Sequence, residues 1–175
     1  MKKIFILLSS FFLQLSVYSQ YTENFSVVTG ANYINDDAAE YSKWAYSLKL
    51  TFPSDATQFN VGVLFSKRWL DSYQIEGISI GLDNAPFHFS DRFFFILGSD
   101  LFLQHHKIKL GSSYITNSIA VTPNFYIGLK SYVFNKLYFQ CDAGFNLQFM
   151  YFYETLIWGS VNPGLLANFK LGFEF

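Results

Sequence analysis

The chain has one cysteine, Cys141, in 175 residues. A single thiol excludes an internal disulfide, and a metal centre would need more ligands than this position offers. Charge is scarce as well: 14% of residues are charged, where about 25% is usual for soluble domains. The net charge is −1, so there is neither a basic field for nucleic acid nor an acidic tail for a cationic partner. Long apolar runs are also missing. The stretch nearest the amino terminus is broken by Ser9, Ser10 and Gln14, which leaves it short of the ~20 residues that a helix needs to cross a bilayer. No later segment supplies that length without a polar interruption.

Aromatic residues, in contrast, make up 21% of the chain. A water-soluble surface is hard to build from so many rings and so few charges. Residues 1–19 read as a secretory signal peptide: Lys2 and Lys3 begin it, Ile4 to Leu8 and Phe11 to Leu13 supply its apolar stretch, and Val17 and Ser19 form the small-residue cleavage site. The mature domain is then 20–175, with no cysteine just after the cleavage site to carry a lipid.

The mature chain repeats one pattern, period-two alternation over roughly ten residues with turn residues between repeats. From Leu137 to Phe149 the odd positions read Leu, Phe, Cys, Ala, Phe, Leu and Phe, whereas the even positions from Tyr138 to Gln148 read Tyr, Gln, Asp, Gly, Asn and Gln. A helix would mix these sets around its circumference; a strand separates them. The separation recurs at Tyr46 to Phe52, Phe59 to Phe65 with Leu64 as an intruder, Ile78 to Leu82, and Val121 to Leu129. It is weaker at Phe25 to Ile34, and Phe93 to Gln104 is apolar on both faces. Eight strands follow, near 23–34, 42–53, 58–70, 75–85, 91–104, 116–133, 137–152 and 163–175. The expected fold is all-β, an eight-stranded antiparallel up-and-down transmembrane β-barrel, whose interior is filled by side chains rather than left as an open channel.

Alternation also fits a soluble lipocalin-like carrier with the apolar face turned inward. Side-chain size favours the membrane barrel, because the polar face is rich in small residues and the apolar face is bulky with Phe. With the polar face inward, Lys49, Arg68, Lys130 and Lys170 share the lumen with Asp83, Asp100, Asp142 and Glu174, and ion-paired clusters are expected there. With both termini periplasmic, connections near 35–41, 70–74, 105–115 and 153–162 face outward, and those near 54–57, 86–90 and 134–136 face the periplasm. Trp44, Trp69, Tyr73, Tyr114, Tyr151 and Trp158, beside Tyr33, Tyr41 and Tyr153, then form an aromatic girdle at the outer rim. An odd-length turn around Asn135 sets Lys130 opposite Gln140 or Asp142.

The chain ends in Phe169, Leu171, Phe173 and Phe175 at alternate positions. Residues 21–175, and this series above all, resemble the small eight-stranded bacterial outer-membrane β-barrels, the OmpX, OmpA membrane-domain and PorT-like family. The resemblance implies an outer-membrane location and transient recognition by the barrel-assembly machinery, carried by the closing series, together with periplasmic chaperones. It leaves activity open, since such barrels include structural proteins, adhesins and enzymes.

His88 and Ser90 have the His-x-Ser spacing of lipid A deacylases, which are also eight-stranded barrels, and this implies a histidine-activated serine. Asp100 is the nearby acid, while the glutamate that the resemblance calls for, about a dozen residues on, is absent. A turn histidine and a turn serine account for the pair more simply. His105, His106, Lys107 and Lys109 could meet lipopolysaccharide phosphates from an outer connection, and Asp36, Asp37 and Glu40 form an acidic outer loop; solvation accounts for both. The sequence therefore reads as a non-enzymatic outer-membrane protein with a structural, envelope-maintenance or surface-interaction role and no cofactor or metal. Its partners would be outer-membrane lipids, lipopolysaccharide and an envelope protein of unknown identity. The alternatives are a lipid A-type acyl hydrolase and a secreted lipocalin-like lipid carrier.

Overall fold

A computed structural model describes residues 24–36, 41–54, 57–66, 73–110, 114–152 and 157–175. The expected signal peptide, Arg68, Trp69, Asp37, Glu40 and Tyr153 lie outside them. Eight strands, β1 (Ser26–Asp36), β2 (Tyr41–Ser54), β3 (Thr57–Phe65), β4 (Tyr73–Ser90), β5 (Phe93–Leu110), β6 (Tyr114–Tyr132), β7 (Leu137–Phe152) and β8 (Ile157–Glu174), form one closed antiparallel barrel in chain order. β1 closes on β8 from Ser26↔Glu174 to Ile34↔Leu166. Phe175 N–H donates to Phe25 O at 2.9 Å beyond the last pair.

The stagger sets the barrel's dimensions. Following paired residues from Phe93 through Ser131, Phe139, Leu171, Thr29, Leu48, Val63 and Ile78 returns to β5 at Leu103, a climb from position 93 to 103. With strands about 4.8 Å apart and a rise of about 3.3 Å per residue, this stagger tilts the strands by about 40°. From Leu165 to Phe175, over the end of β8 and one residue beyond it, every second residue faces outward, which is ~33 Å along the chain and about 25 Å along the barrel axis. That matches the apolar band of a transmembrane barrel, about 25 Å tall.

Two expected connections prove to be strand. Residues 86–90 belong to β4, which runs to Ser90 through register shifts between Asn84 and Phe87 and between His88 and Ser90. The bulges let β4 and β5 keep pairing past the β2–β3 turn. At the other end β5 runs to Leu110, so His105 and His106 are paired residues, opposite Ile119 and Ser118, rather than a loop. β3 ends at Phe65 among the described residues, with 67–70 outside them, and β8 begins earlier than expected. Five residues, 133–137, separate the last β6–β7 pair, Tyr132 and Tyr138, an odd number as parity requires, and Lys130 lies opposite Gln140.

Candidate functional site

The lumen gathers the chain's chemistry. Of the charges that strand parity assigns to it, Lys49, Asp83, Asp100, Lys130, Asp142, Lys170 and Glu174 are all buried there. Arg68, the fourth expected base, lies outside the described residues, so among those described three lumenal ammonium groups face four carboxylates.

Three ion clusters result. Lys49 Nζ donates to Asp100 Oδ2 at 2.6 Å. Lys170 is shared: its Nζ lies 2.7 Å from Asp142 Oδ2 and 3.9 Å from Asp83 Oδ2, and donates to Tyr126 Oη at 3.4 Å. Asp83 is held further by Tyr126 Oη, which donates at 2.6 Å, and by Asn60 Nδ2 at 3.0 Å; Thr51 Oγ1 fixes that amide by donating to Asn60 Oδ1 at 2.7 Å. Gln140 Nε2 donates to Asp142 Oδ1 at 2.9 Å. Near the chain termini, Glu174 takes Lys130 at 3.4 Å and the Tyr132 hydroxyl. The Lys130 ammonium lies 3.8 Å from the Tyr138 ring centre and 4.9 Å from that of Tyr132. An unpaired charge in such a space would cost several kcal/mol, and each carboxylate has at least one cationic partner. The arrangement binds the wall together. A cavity of about 10 Å³ beside Lys49, Asp83 and Lys170 has room for about one water.

Toward the other end the lumen turns apolar. Ala45, Leu64, Ile75, Phe102, Ala120 and Met150 pack as one buried cluster. This explains why Leu64 interrupts its polar face and why Phe102 points inward from β5 at 0% exposure; Ile96, also at 0%, packs inward in a second cluster with Ala85, Tyr126 and Leu166. Glycine makes room for the largest lumenal groups. A Cβ on Gly98 would lie 2.1 Å from the Tyr126 ring, and one on Gly172 would lie 2.1 Å from the Tyr138 ring.

Composition alone does not single out the tyrosines as partners of the charges. Parity could have found them, because Tyr126 falls on the Asn124–Gly128 face and Tyr132 on that of Lys130. Likewise His106 shares the face of Gln104; it is buried, and its Nε2 lies 3.1 Å from Gln104 Oε1. His105 and Lys107 face the other way.

His88, Ser90 and Asp100 are not brought together. His88 pairs with Phe94 at an exposed strand end, and a bulge separates it from Ser90. Asp100 is inside on Lys49, six residues from Phe94 along β5, or ~20 Å. Of the expected girdle, Trp44 faces out at 46% exposure with Tyr33 and Phe169 at 5.3 and 6.1 Å. Tyr151 is half-buried opposite Trp158 in the ladder. Tyr73 and Tyr114 begin β4 and β6 at the same end of the barrel; the side chains of Tyr73, Tyr114 and Trp158 lie outside the described residues.

Fold and lumen together define a small closed antiparallel barrel with a charged, packed interior and an apolar exterior. Solved structures share this fold, and two of them illustrate it. One is Neisserial surface protein A, with a TM-score of 0.59 and 15% identity over 86% of this chain and 96% of that one. The other is the N-terminal β-barrel domain of Pseudomonas aeruginosa OprF, with a TM-score of 0.54 and 16% identity over 86% of this chain and 97% of that one. No protein-family model matches the chain, and no curated protein matches its sequence.

Proposed function

We propose that the chain is an integral outer-membrane barrel whose role is structural or surface-directed: a closed scaffold that stabilises the envelope and presents its outer rim to lipopolysaccharide or to an envelope partner. One observation carries the reading. Among the described residues 29 large hydrophobics are exposed, while the buried set holds 24 polar or charged residues against 13 hydrophobic ones. Soluble proteins bury apolar groups and expose charge, so the solvent around this barrel is hydrocarbon. In lipid, a closed barrel leaves no backbone group unpaired. The same polarity is the reverse of what a lipocalin-like carrier requires.

The closing series supports recognition by the assembly machinery. Phe169, Leu171, Phe173 and Phe175 all point outward, at 47%, 46%, 44% and 62% exposure, and remain readable on an edge strand before β1 pairs with β8. The packed lumen supports a scaffold rather than a pore. Fractionation tests the location: the protein stays with outer membranes through a sodium carbonate wash, and release into the soluble fraction would refute the reading. Reconstituted in planar bilayers, it should give no ohmic conductance, and a steady open-channel current would refute the scaffold reading.

A further inference from the structure

An open groove of about 340 Å³ indents the outer wall across β5, β6 and β7, walled by Leu97, Phe125, Ile127 and Phe145 with Ala143 and Gly144. Its origin is a gap in the outward row. β7 turns Leu137, Phe139, Cys141, Ala143, Phe145, Leu147 and Phe149 outward, and Ala143, the middle of the seven, is the smallest. Its ladder partners are Ile127 and Ala167, so no large side chain on β8 fills the space either.

The position of the groove restricts what can occupy it. Ala143 is six residues from each end of the outward row, ~20 Å along the strand and about 15 Å along the axis at the barrel's tilt. If the barrel spans a membrane, the reading on which this inference rests, that depth is the hydrocarbon midplane, beyond the reach of headgroups and soluble proteins. No charged side chain lines the groove, so nothing there would hold a polar ligand. Its volume sits at the lower end of the ~300–1,000 Å³ of ligand sites, which suits one chain rather than a whole multi-chain lipid. We propose that this groove seats one acyl chain of a membrane lipid, held longer than the lipids around the rest of the wall.

The test uses the full barrel reconstituted in phosphatidylethanolamine and phosphatidylglycerol vesicles, re-extracted in detergent and weighed intact by native mass spectrometry. A heat-dependent gel shift on the same sample establishes the barrel first; its absence would remove the membrane reading, not the groove alone. Ala143→Phe fills the groove. Ala31→Phe, outward on β1 and away from it, is the control. We expect one lipid retained per wild-type barrel, occupancy at least tenfold lower in Ala143→Phe, and wild-type retention in Ala31→Phe. Equal retention in wild type and Ala143→Phe, or no retained lipid on heat-shifting wild-type barrels, overturns the proposal. The single cysteine, Cys141, lies two residues from Ala143 on the same face and reports the rival occupant. Disulfide-linked dimers through Cys141 that disappear in Ala143→Phe would assign the groove to a second copy and overturn the lipid.

Discussion

On β8, Asn168, Lys170 and Glu174 are 0%, 3% and 1% exposed, while Phe169, Leu171 and Phe173, interleaved with them, are 47%, 46% and 44% exposed. Neighbouring residues of one strand thus obey opposite rules, and the difference explains the composition. Charge is rare because the outside has almost no use for it, and seven charged residues lie in a lumen narrow enough for lysines and carboxylates to meet. Aromatic residues are abundant because the outside is their place. The lumen itself repeats the contrast along its length, with ion clusters toward the chain termini and Phe102, Leu64 and Ile75 toward the other end.

Four single substitutions, the first with a double rescue, probe this division. The largest effect is expected inside: Lys170→Met leaves Asp83 and Asp142 without their shared ammonium, and removing one partner of a buried pair costs about 3–5 kcal/mol, read as a lower midpoint of urea unfolding in vesicles. Removing the carboxylates as well, with Asp83→Asn and Asp142→Asn, should recover part of that loss. Next is a charge on the outside at mid-height: Ile80→Arg should cost ~2–4 kcal/mol, the price of arginine near a bilayer midplane. Gly172→Ala drives a methyl group into the Tyr138 ring, and overpacking of this kind costs about 1–3 kcal/mol. The smallest effect is Phe134→Arg in the β6–β7 turn, where 68% exposure places the charge at the boundary and the cost falls to about 0–1 kcal/mol. Equal effects for Ile80→Arg and Phe134→Arg would mean that the exterior meets water along its whole height.

Much of this fold was legible in the sequence because a barrel strand reports both of its surroundings at once. Alternation from Leu137 to Phe149 located β7, and parity carried Lys130 and Asp142 to the inside. The ends of β4 and β5 were harder to read. Pro86 and the crowded Phe-His-Phe segment look like a turn, but bulges absorb the irregularity and keep the strand paired. His105 and His106 look like a solvated loop until pairing with β6 is known. The apolar upper lumen was hidden for a different reason: Leu64 and Phe102 break the alternation that defines the strands, and only three-dimensional packing shows that they fill space between opposite walls. The specific partner of each charge was likewise unreadable, since Lys170 meets Asp83 across the barrel, four strands away in the ring.

The most direct test of a closed barrel in lipid is mobility on an SDS gel, unboiled against boiled, for protein extracted from outer-membrane fractions. A ring in which β1 bonds to β8 has no free edge from which SDS can unravel it, so the unboiled protein should migrate as a compact species and shift on boiling. A protein recovered from the soluble fraction, with the same mobility before and after heating, would contradict the account and place its apolar face against something other than a membrane.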